Sequence, residues 1–257
     1  MPLNVAILIS AYNHKQKVIS CLDNCMQQID SMASEGKYSF SIRLLDDSST
    51  DWTIDEVKDK YPGVIAARSS QRLYRNASLR KLWTEAAKDN QDFYIWIDAR
   101  ISLKDNALQS LLENSGFLSN KAIIAGSVSN EEGELVRGGR TKKGKLCSPD
   151  PVIPIPTETF DGNLVLVPAF AYNILGMTSE KRNEYLGDWE YGLKALRNDV
   201  PRVIAPGVLA TCDEISDVKI PLGARFLYDL KSSGVIFAVR NFFQLAFKAL
   251  KNTKQDV

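Results

Sequence analysis

The fold turns on the stretch Phe93-Tyr94-Ile95-Trp96-Ile97-Asp98-Ala99-Arg100-Ile101-Ser102-Leu103. Phe93 to Ile97 is a short run of aromatic and β-branched residues, the composition of a buried strand. The run breaks at Asp98 and Arg100. An open α/β sheet presents its ligand crevice at the carboxyl ends of its strands, where such charges would sit. A solvated loop fits the same pattern, so the flanking sequence must decide.

Upstream, Val5 to Ile9 is a continuous apolar run, as expected of a central parallel strand covered on both faces. Val18, Leu22, Cys25, Met26, Ile29 and Met32 follow at helical spacing. Phe40, Ile42, Leu44 and Leu45 predict the next strand, which stops at the polar turn Asp46-Asp47-Ser48-Ser49-Thr50. Thr50 or Asp51 is suited to cap the helix after it. Val64 to Ala67 predicts a third strand, and Leu79, Leu82, Trp83 and Ala86 a third helix. Strand and helix thus alternate three times before Phe93, which implies a parallel sheet with right-handed crossovers. The first strand is followed by no G-x-G-x-x-G, and no P-loop occurs, which disfavours a dehydrogenase or an NTPase.

Downstream, Asn106 to Leu112 predicts a helix and Ala122 to Ala125 a strand. Residues 131–156, rich in Gly, Lys and Pro, predict a long loop or hairpin. Asp161 to Val167 turns into a strand, and Pro168 is placed to open the next helix. Gly187 to Ala195 predicts a helix with acidic residues in its first turn, favoured by the helix dipole. Val203–Ala205 and Val208–Ala210 predict short strands.

Composition adds bounds. The 257 residues, 44% hydrophobic and 25% charged, suffice for one large domain or two small ones with an ample core. A net charge of +1 gives no nucleic-acid footprint, so no nucleic-acid partner is expected. Cys21, Cys25, Cys147 and Cys212 lack C-x-x-C spacing and are expected as free thiols in a reducing compartment. The chain starts without a signal-peptide pattern, and no run reaches the roughly 18 apolar residues of a membrane span. The expected location is cytoplasmic, with peripheral association at the inner face of the cell membrane as an extension of it.

Five pieces, in order, resemble the GT-A glycosyltransferases of family 2. They are Ser10-Ala11-Tyr12-Asn13, Leu45 to Asp51, Trp96-Ile97-Asp98-Ala99-Arg100, Asp161 to Pro168, and Gly187-Asp188-Trp189-Glu190-Tyr191. Arg75-Asn76-Ala77-Ser78-Leu79-Arg80 before Trp83, with the last two pieces, makes the bacterial rhamnosyltransferase-like branch the nearest likeness. The resemblance covers roughly residues 3–212. It implies an α/β GT-A domain over residues 1–215, with a mostly parallel central sheet flanked by helices. Residues 216–257 would form an amphipathic helical extension.

The resemblance implies an inverting transfer from a UDP- or dTDP-type sugar donor to a hydroxyl of a bacterial surface glycan or lipid-linked precursor. Tyr12 would stack on the base, and Asp47 would accept its imide N–H. Asp46 would shape the turn or reach the base or ribose. Ala11, Asn13 and Arg75 complete the nucleotide-sugar set. Asp98 and Arg100 stand where the family has D-x-D, whose carboxylates hold Mg²⁺ or Mn²⁺ against the diphosphate. Arg100 cannot ligate a metal. Three readings therefore stay open: Arg100 contacts the diphosphate, Arg100 merely pairs with Asp98, or Asp98 holds a weak metal. Asp188 matches the catalytic base, and Asn163, Trp189 and Glu190 the acceptor contacts.

For Asp46, Asp47 and Asp188 the plain alternative is turn or helix capping, and for Trp189 and Asn163 a structural role. Arg72, Arg75 and Arg80 form a basic patch near the crevice and read by default as solvated helix charges, with contact to a diphosphate or an anionic acceptor as the lesser alternative. His14 reads as a loop residue beside the nucleotide, and Trp83 and Trp96 as core. Between Gly234 and Lys251, Arg240, Gln244, Lys248 and Lys251 form one stripe on an otherwise apolar helix. That helix would pack on its own domain, form a homodimer or lie at a membrane surface. The alternative to an enzyme is a non-catalytic sugar-nucleotide-binding or scaffold subunit, with a nucleotidyltransferase as a weaker third reading.

Overall fold

A computed structural model describes residues 1–180 and 185–213 of the chain. The predicted 216–257 extension, with its dimer or membrane contact, lies outside them. Residues Met1–Ile215 form one compact unit.

The elements run β1 (Leu3–Ala11), α1 (Lys15–Ala33), β2 (Tyr38–Asp46), α2 (Thr53–Lys60), β3 (Ile65–Arg68), α3 (Tyr74–Ala86) and β4 (Phe93–Asp98). β5 (Ser102–Leu103), α4 (Ala107–Phe117) and β6 (Ile123–Ser129) follow, then β7 (Leu135–Arg137), β8 (Gly139–Arg140), β9 (Ile155–Pro156) and β10 (Thr159–Phe160). The described part ends with β11 (Leu164–Pro168), α5 (Ala169–Leu175), α6 (Tyr185–Arg197) and β12 (Arg202–Thr211). The main sheet has the order β3-β2-β1-β4-β11-β6-β12-β5. Its first four strands are parallel, as the alternating pattern requires. β11 then enters antiparallel between β4 and β6, and β12 runs parallel to β6.

β1 is buried on both faces and feeds two cores through its alternating side chains. Val5, Ile7 and Ile9 join Leu22 of α1 and Leu108 of α4, whereas Ala6 and Leu8 join Trp83, Trp96 and Tyr191. On that second face the Trp83 ring meets Tyr94, Trp96, Tyr172 and Tyr191 at 5.0–5.7 Å. The expectation that Trp83 and Trp96 are core residues holds.

Three boundaries differ from the sequence-based expectation. Trp52, with a left-handed φ of 63°, occupies the N-cap position of α2. Asp51 sits one residue earlier. One of its carboxylate oxygens accepts from Thr53 N and the other from Lys15 N at 2.9 Å, so it joins the starts of α1 and α2. Residues 131–156, expected as a loop or hairpin, carry β7, β8 and β9, and β8 pairs with β10 in a small second sheet. The two short strands expected at 203–210 are one strand, β12, with register shifts around Pro206 and Gly207. No helix among the described residues is long and apolar enough to cross a membrane. The cysteines are free thiols.

Candidate active site

Register fixes where the site lies. Ala11 pairs with Asp46 across β1 and β2, and Ser10 pairs with Asp98 across β1 and β4. Three strands therefore end level, and the loops leaving them share one rim. Asn13 (φ 52°) and His14 (φ 57°) are both left-handed, a conformation to which Asn and His are better suited than most side chains. Asn13 fastens the first loop to the second: its N–H donates to Ser49 Oγ at 2.8 Å, and its Oδ1 accepts from Thr50 N at 3.0 Å.

The paired aspartates divide the work. Asp46 is fully buried; it accepts from the Ser49 hydroxyl and amide and faces Arg68 Nε at 3.4 Å, so it shapes the turn. Asp47 reaches across to the start of α3. Its Oδ1 accepts from Leu73 N at 2.6 Å and Ser69 Oγ at 3.2 Å, and its Oδ2 from Tyr74 N at 2.8 Å and the Arg72 guanidinium. A carboxylate has about four acceptor sites, and here all are taken. Asp47 thus caps a helix far away in sequence, satisfying amides that α3 leaves without helical partners.

Arg72, held by Asp47, lies over Tyr12 with its Cζ 3.3 Å from the ring centroid, a cation–π contact, and 5.0 Å from the Tyr74 ring. Tyr12 remains 41% exposed. Tyr74 holds a φ of 67°, uncommon for a bulky residue.

The second half of the rim is a chain of ion pairs. Asp98 ends β4 and is buried. Arg100 grips it from Nε at 3.0 Å and Nη2 at 2.8 Å, and Asn163 Nδ2 donates to it at 3.1 Å. Burial would raise the Asp98 carboxyl, but the hydrogen bonds and charge of Arg100, with Arg75 behind, hold it below its ordinary value. This is not a plain surface pair, since the carboxylate is buried and only the guanidinium is partly exposed. Arg75 Nε stands 4.0 Å from Asp98 while its two terminal nitrogens donate to Asp188 and to Gly162 O.

Asp188, in the first turn of α6, is 0% exposed. Burial pushes its carboxyl up to about 6; Arg75 opposes the rise, and the charges of Asp161 and Asp98 add to it. The carboxylate fits only because residue 162 is glycine: a methyl there would collide with it.

Tyr12, Ala11, Asp47, Asp98, Arg75 and Arg100 line one cleft of about 130 Å³, together with His14 and Arg72. Asp188 stands behind Arg75, outside that lining. Among the acceptor candidates, Asn163 is buried with its amide on Asp98, and Trp189 is 6% exposed. Glu190 lines a separate cavity of about 570 Å³ with Arg80, Lys194 and Arg197.

The arginines at 72, 75 and 80 are not solvated helix charges. Each is drawn onto a buried or backbone acceptor, Arg80 onto Thr178 O and Glu180. The stacking of Arg72 on Tyr12 and the role of Gly162 were not read from the sequence. A glycine between two polar residues ahead of a strand was the available signal for a close approach at 162.

The divalent cation implied by the resemblance does not fit the donors around Asp98. Hard cations take oxygen ligands, and the Asp98 oxygens already accept from Arg100 and Asn163 N–H groups. The described residues contain no cluster of three metal-ligating side chains.

A model described as Glycosyl transferase family 2 matches residues 6–169. No curated protein matches the sequence. Among solved structures, S. aureus TarS 1–349 aligns with TM-score 0.61 at 11% identity, over 90% of this chain and 66% of that one. The same TarS segment in complex with UDP-GlcNAc gives 0.59, 11%, 88% and 64%. GalNAc-T7 with UDP, GalNAc and Mn²⁺ gives 0.60, 15%, 89% and 48%. The chain spans about two thirds or less of those chains, and at such identities the likeness is one of fold.

Proposed function

The chain belongs to glycosyl transferase family 2, with the GT-A fold, and from that premise we propose that it transfers a sugar, with inversion, from a UDP- or dTDP-type donor to a hydroxyl of a surface glycan or its lipid-linked precursor. One observation carries the proposal: an exposed aromatic ring, a capping carboxylate and three arginines, Arg72 and Arg75 at the start of α3 and Arg100 after β4, line one cleft at the ends of parallel strands. The bound UDP-GlcNAc of the TarS complex supports the donor class.

In this reading the base stacks on Tyr12, and its imide N–H takes the Asp47 acceptor site that Arg72 now fills. Arg100 meets the diphosphate through its planar N–H fork, with Asp98 holding it in place. Ala11 and Asn13 set the backbone under the nucleotide. Asp188 removes the proton from the acceptor hydroxyl as that oxygen attacks the anomeric carbon opposite the departing diphosphate. Glu190 faces the acceptor side, whereas Asn163 and Trp189 support the site from within.

A second reading rests on the complete burial of Asp188. A base that never reaches substrate would leave a non-catalytic sugar-nucleotide-binding subunit. A panel of UDP-, dTDP- and GDP-sugars, scored for binding and for turnover, separates the two. Turnover that Asp188→Asn abolishes, with nucleotide affinity retained, supports the transferase. Binding without turnover of any donor supports the subunit.

A further inference from the structure

The placement of Arg75 raises a question that the proposed chemistry leaves open. Asp188 is fully buried, whereas Arg75 lines the cleft in front of it with one arm on Asp188, another on Gly162 O and its Nε 4.0 Å from Asp98. A general base must come within hydrogen-bond reach of the proton it takes. In this arrangement the guanidinium stands between Asp188 and the cleft, and it is also a cation facing the space assigned to the diphosphate.

We propose that Arg75 is a positioning residue that couples donor binding to the base: the donor diphosphate draws its guanidinium off Asp188, which both opens the carboxylate to the acceptor and removes its counter-ion. The inference rests on the donor reading above. It explains why one arginine should span Asp98, Gly162 and Asp188. Until the diphosphate arrives, the carboxylate is locked and cannot activate water. Afterwards it is a stronger base, because the opposing cation has moved while the burial remains.

The consequence is a proton. Three charged groups bear on the Asp188 carboxyl: Arg75 from α3, Asp161 from the loop ahead of β11 and Asp98 from the end of β4. Asp161 is itself held by Arg140 Nε at 2.7 Å and Asp98 by Arg100, so Arg75 is the cation whose movement matters. With Arg75 in place the carboxyl titrates at about 6. Its departure, with phosphate charge brought nearby, raises that value, so at fixed pH the protein takes up protons on binding nucleotide.

The test is calorimetry of UDP binding near pH 6.5 in two buffers of different ionisation enthalpy, without metal. Wild type should take up about half a proton more per UDP than Asp188→Asn, a difference that cancels the titration of UDP itself. Arg75→Gln, whose Asp188 has already lost its cation, should show a much smaller Asp188-dependent uptake when compared with the Arg75→Gln/Asp188→Asn double variant. Equal uptake by wild type and Asp188→Asn, with UDP bound by both, overturns the coupling and leaves the donor reading intact. An uptake as large in Arg75→Gln as in wild type removes Arg75 from it. Failure of wild type to bind UDP, and dTDP in its place, overturns the donor reading and this inference with it.

Discussion

At the scale of single residues, the Asp188 carboxyl sets opposite pH trends for activity and stability. Held at about 6 by burial, it must be ionised to act as a base. The kcat/KM should therefore rise with pH through about 6 and level off above it, whereas kcat should level off at higher pH because donor binding raises the carboxyl; Asp188→Asn should lack turnover at any pH. Stability responds in the other direction. The native carboxyl binds its proton more tightly than the unfolded one, whose value is near 3.8. The contribution is complete below the unfolded value and lost as pH rises through about 6. Two units at about 1.4 kcal/mol each make it about 3 kcal/mol, readable as a falling urea midpoint between pH 4 and pH 7. Asp98, whose value is lowered, works oppositely and only at the acid end, where its contribution is lost as pH falls.

A second residue-scale prediction concerns Gly162. Gly162→Ala sets a methyl against the Asp188 carboxylate, and a displaced base should lower kcat about 10²-fold with little change in UDP affinity. Gly116→Ala, where the added methyl meets open space within α4, should leave kcat unchanged and stabilise by up to about 1 kcal/mol. Comparable kcat values for the two variants would show that Asp188 does not need its seat. Residue identities at the rim were legible in the sequence, because a charge ending an apolar run marks a strand end. Their pairings were not. Nothing in spacing tells that Arg75 bonds Asp188, 113 residues away, or that Arg72 lies on Tyr12.

At the scale of elements, α3 decides how the rim is held. Its start is capped by Asp47 from β2, and its body is pinned by Trp83 among Trp96, Tyr94, Tyr172 and Tyr191. Trp83→Ala should cost about 3–5 kcal/mol, a large share of the about 5–15 kcal/mol that holds a folded domain together. The loss should appear as a lowered urea midpoint. Trp83→Phe keeps part of the volume and should cost less. Asp47→Ala removes the cap and frees Arg72, so it should cost about 1–2 kcal/mol in stability and also weaken UDP binding. A stability loss with unchanged UDP affinity would confine Asp47 to capping. The helix itself was readable from Leu79, Leu82, Trp83 and Ala86. Its beginning was not, because the cap comes from another strand instead of from the residue before it.

At the scale of the whole molecule, the parallel half was legible and the sheet's reversal was not. Alternating strand and helix up to Phe93 leaves few topologies, and β3-β2-β1-β4, parallel throughout, is one of them. Beyond β4 the regular alternation lapses, and β11 slots in antiparallel beside β4, a long-range choice that periodicity does not encode. The reversal has a use. It brings Gly162 and Asn163, just ahead of β11, against the end of β4, where Asp98 N donates to Asn163 O at 2.8 Å. The Asp98 end and the Asp188 end of the rim are thereby joined through the backbone, with Arg75 between them.

A whole-molecule measurement follows from that charge arrangement. A nucleotide that binds only the folded chain at 100 times its Kd stabilises it by about 2.7 kcal/mol. With Arg72, Arg75 and Arg100 as the cations of the cleft, the Tm shift produced by UDP should be the same in excess chelator as in Mn²⁺. It should shrink with rising salt, because partly exposed charges are screened. Arg100→Ala should lose most of the shift, and Arg100→Lys should recover only part of it, since an ammonium lacks the planar fork. A shift that appears only with Mn²⁺ would return the diphosphate to a metal and make Arg100 no more than the partner of Asp98.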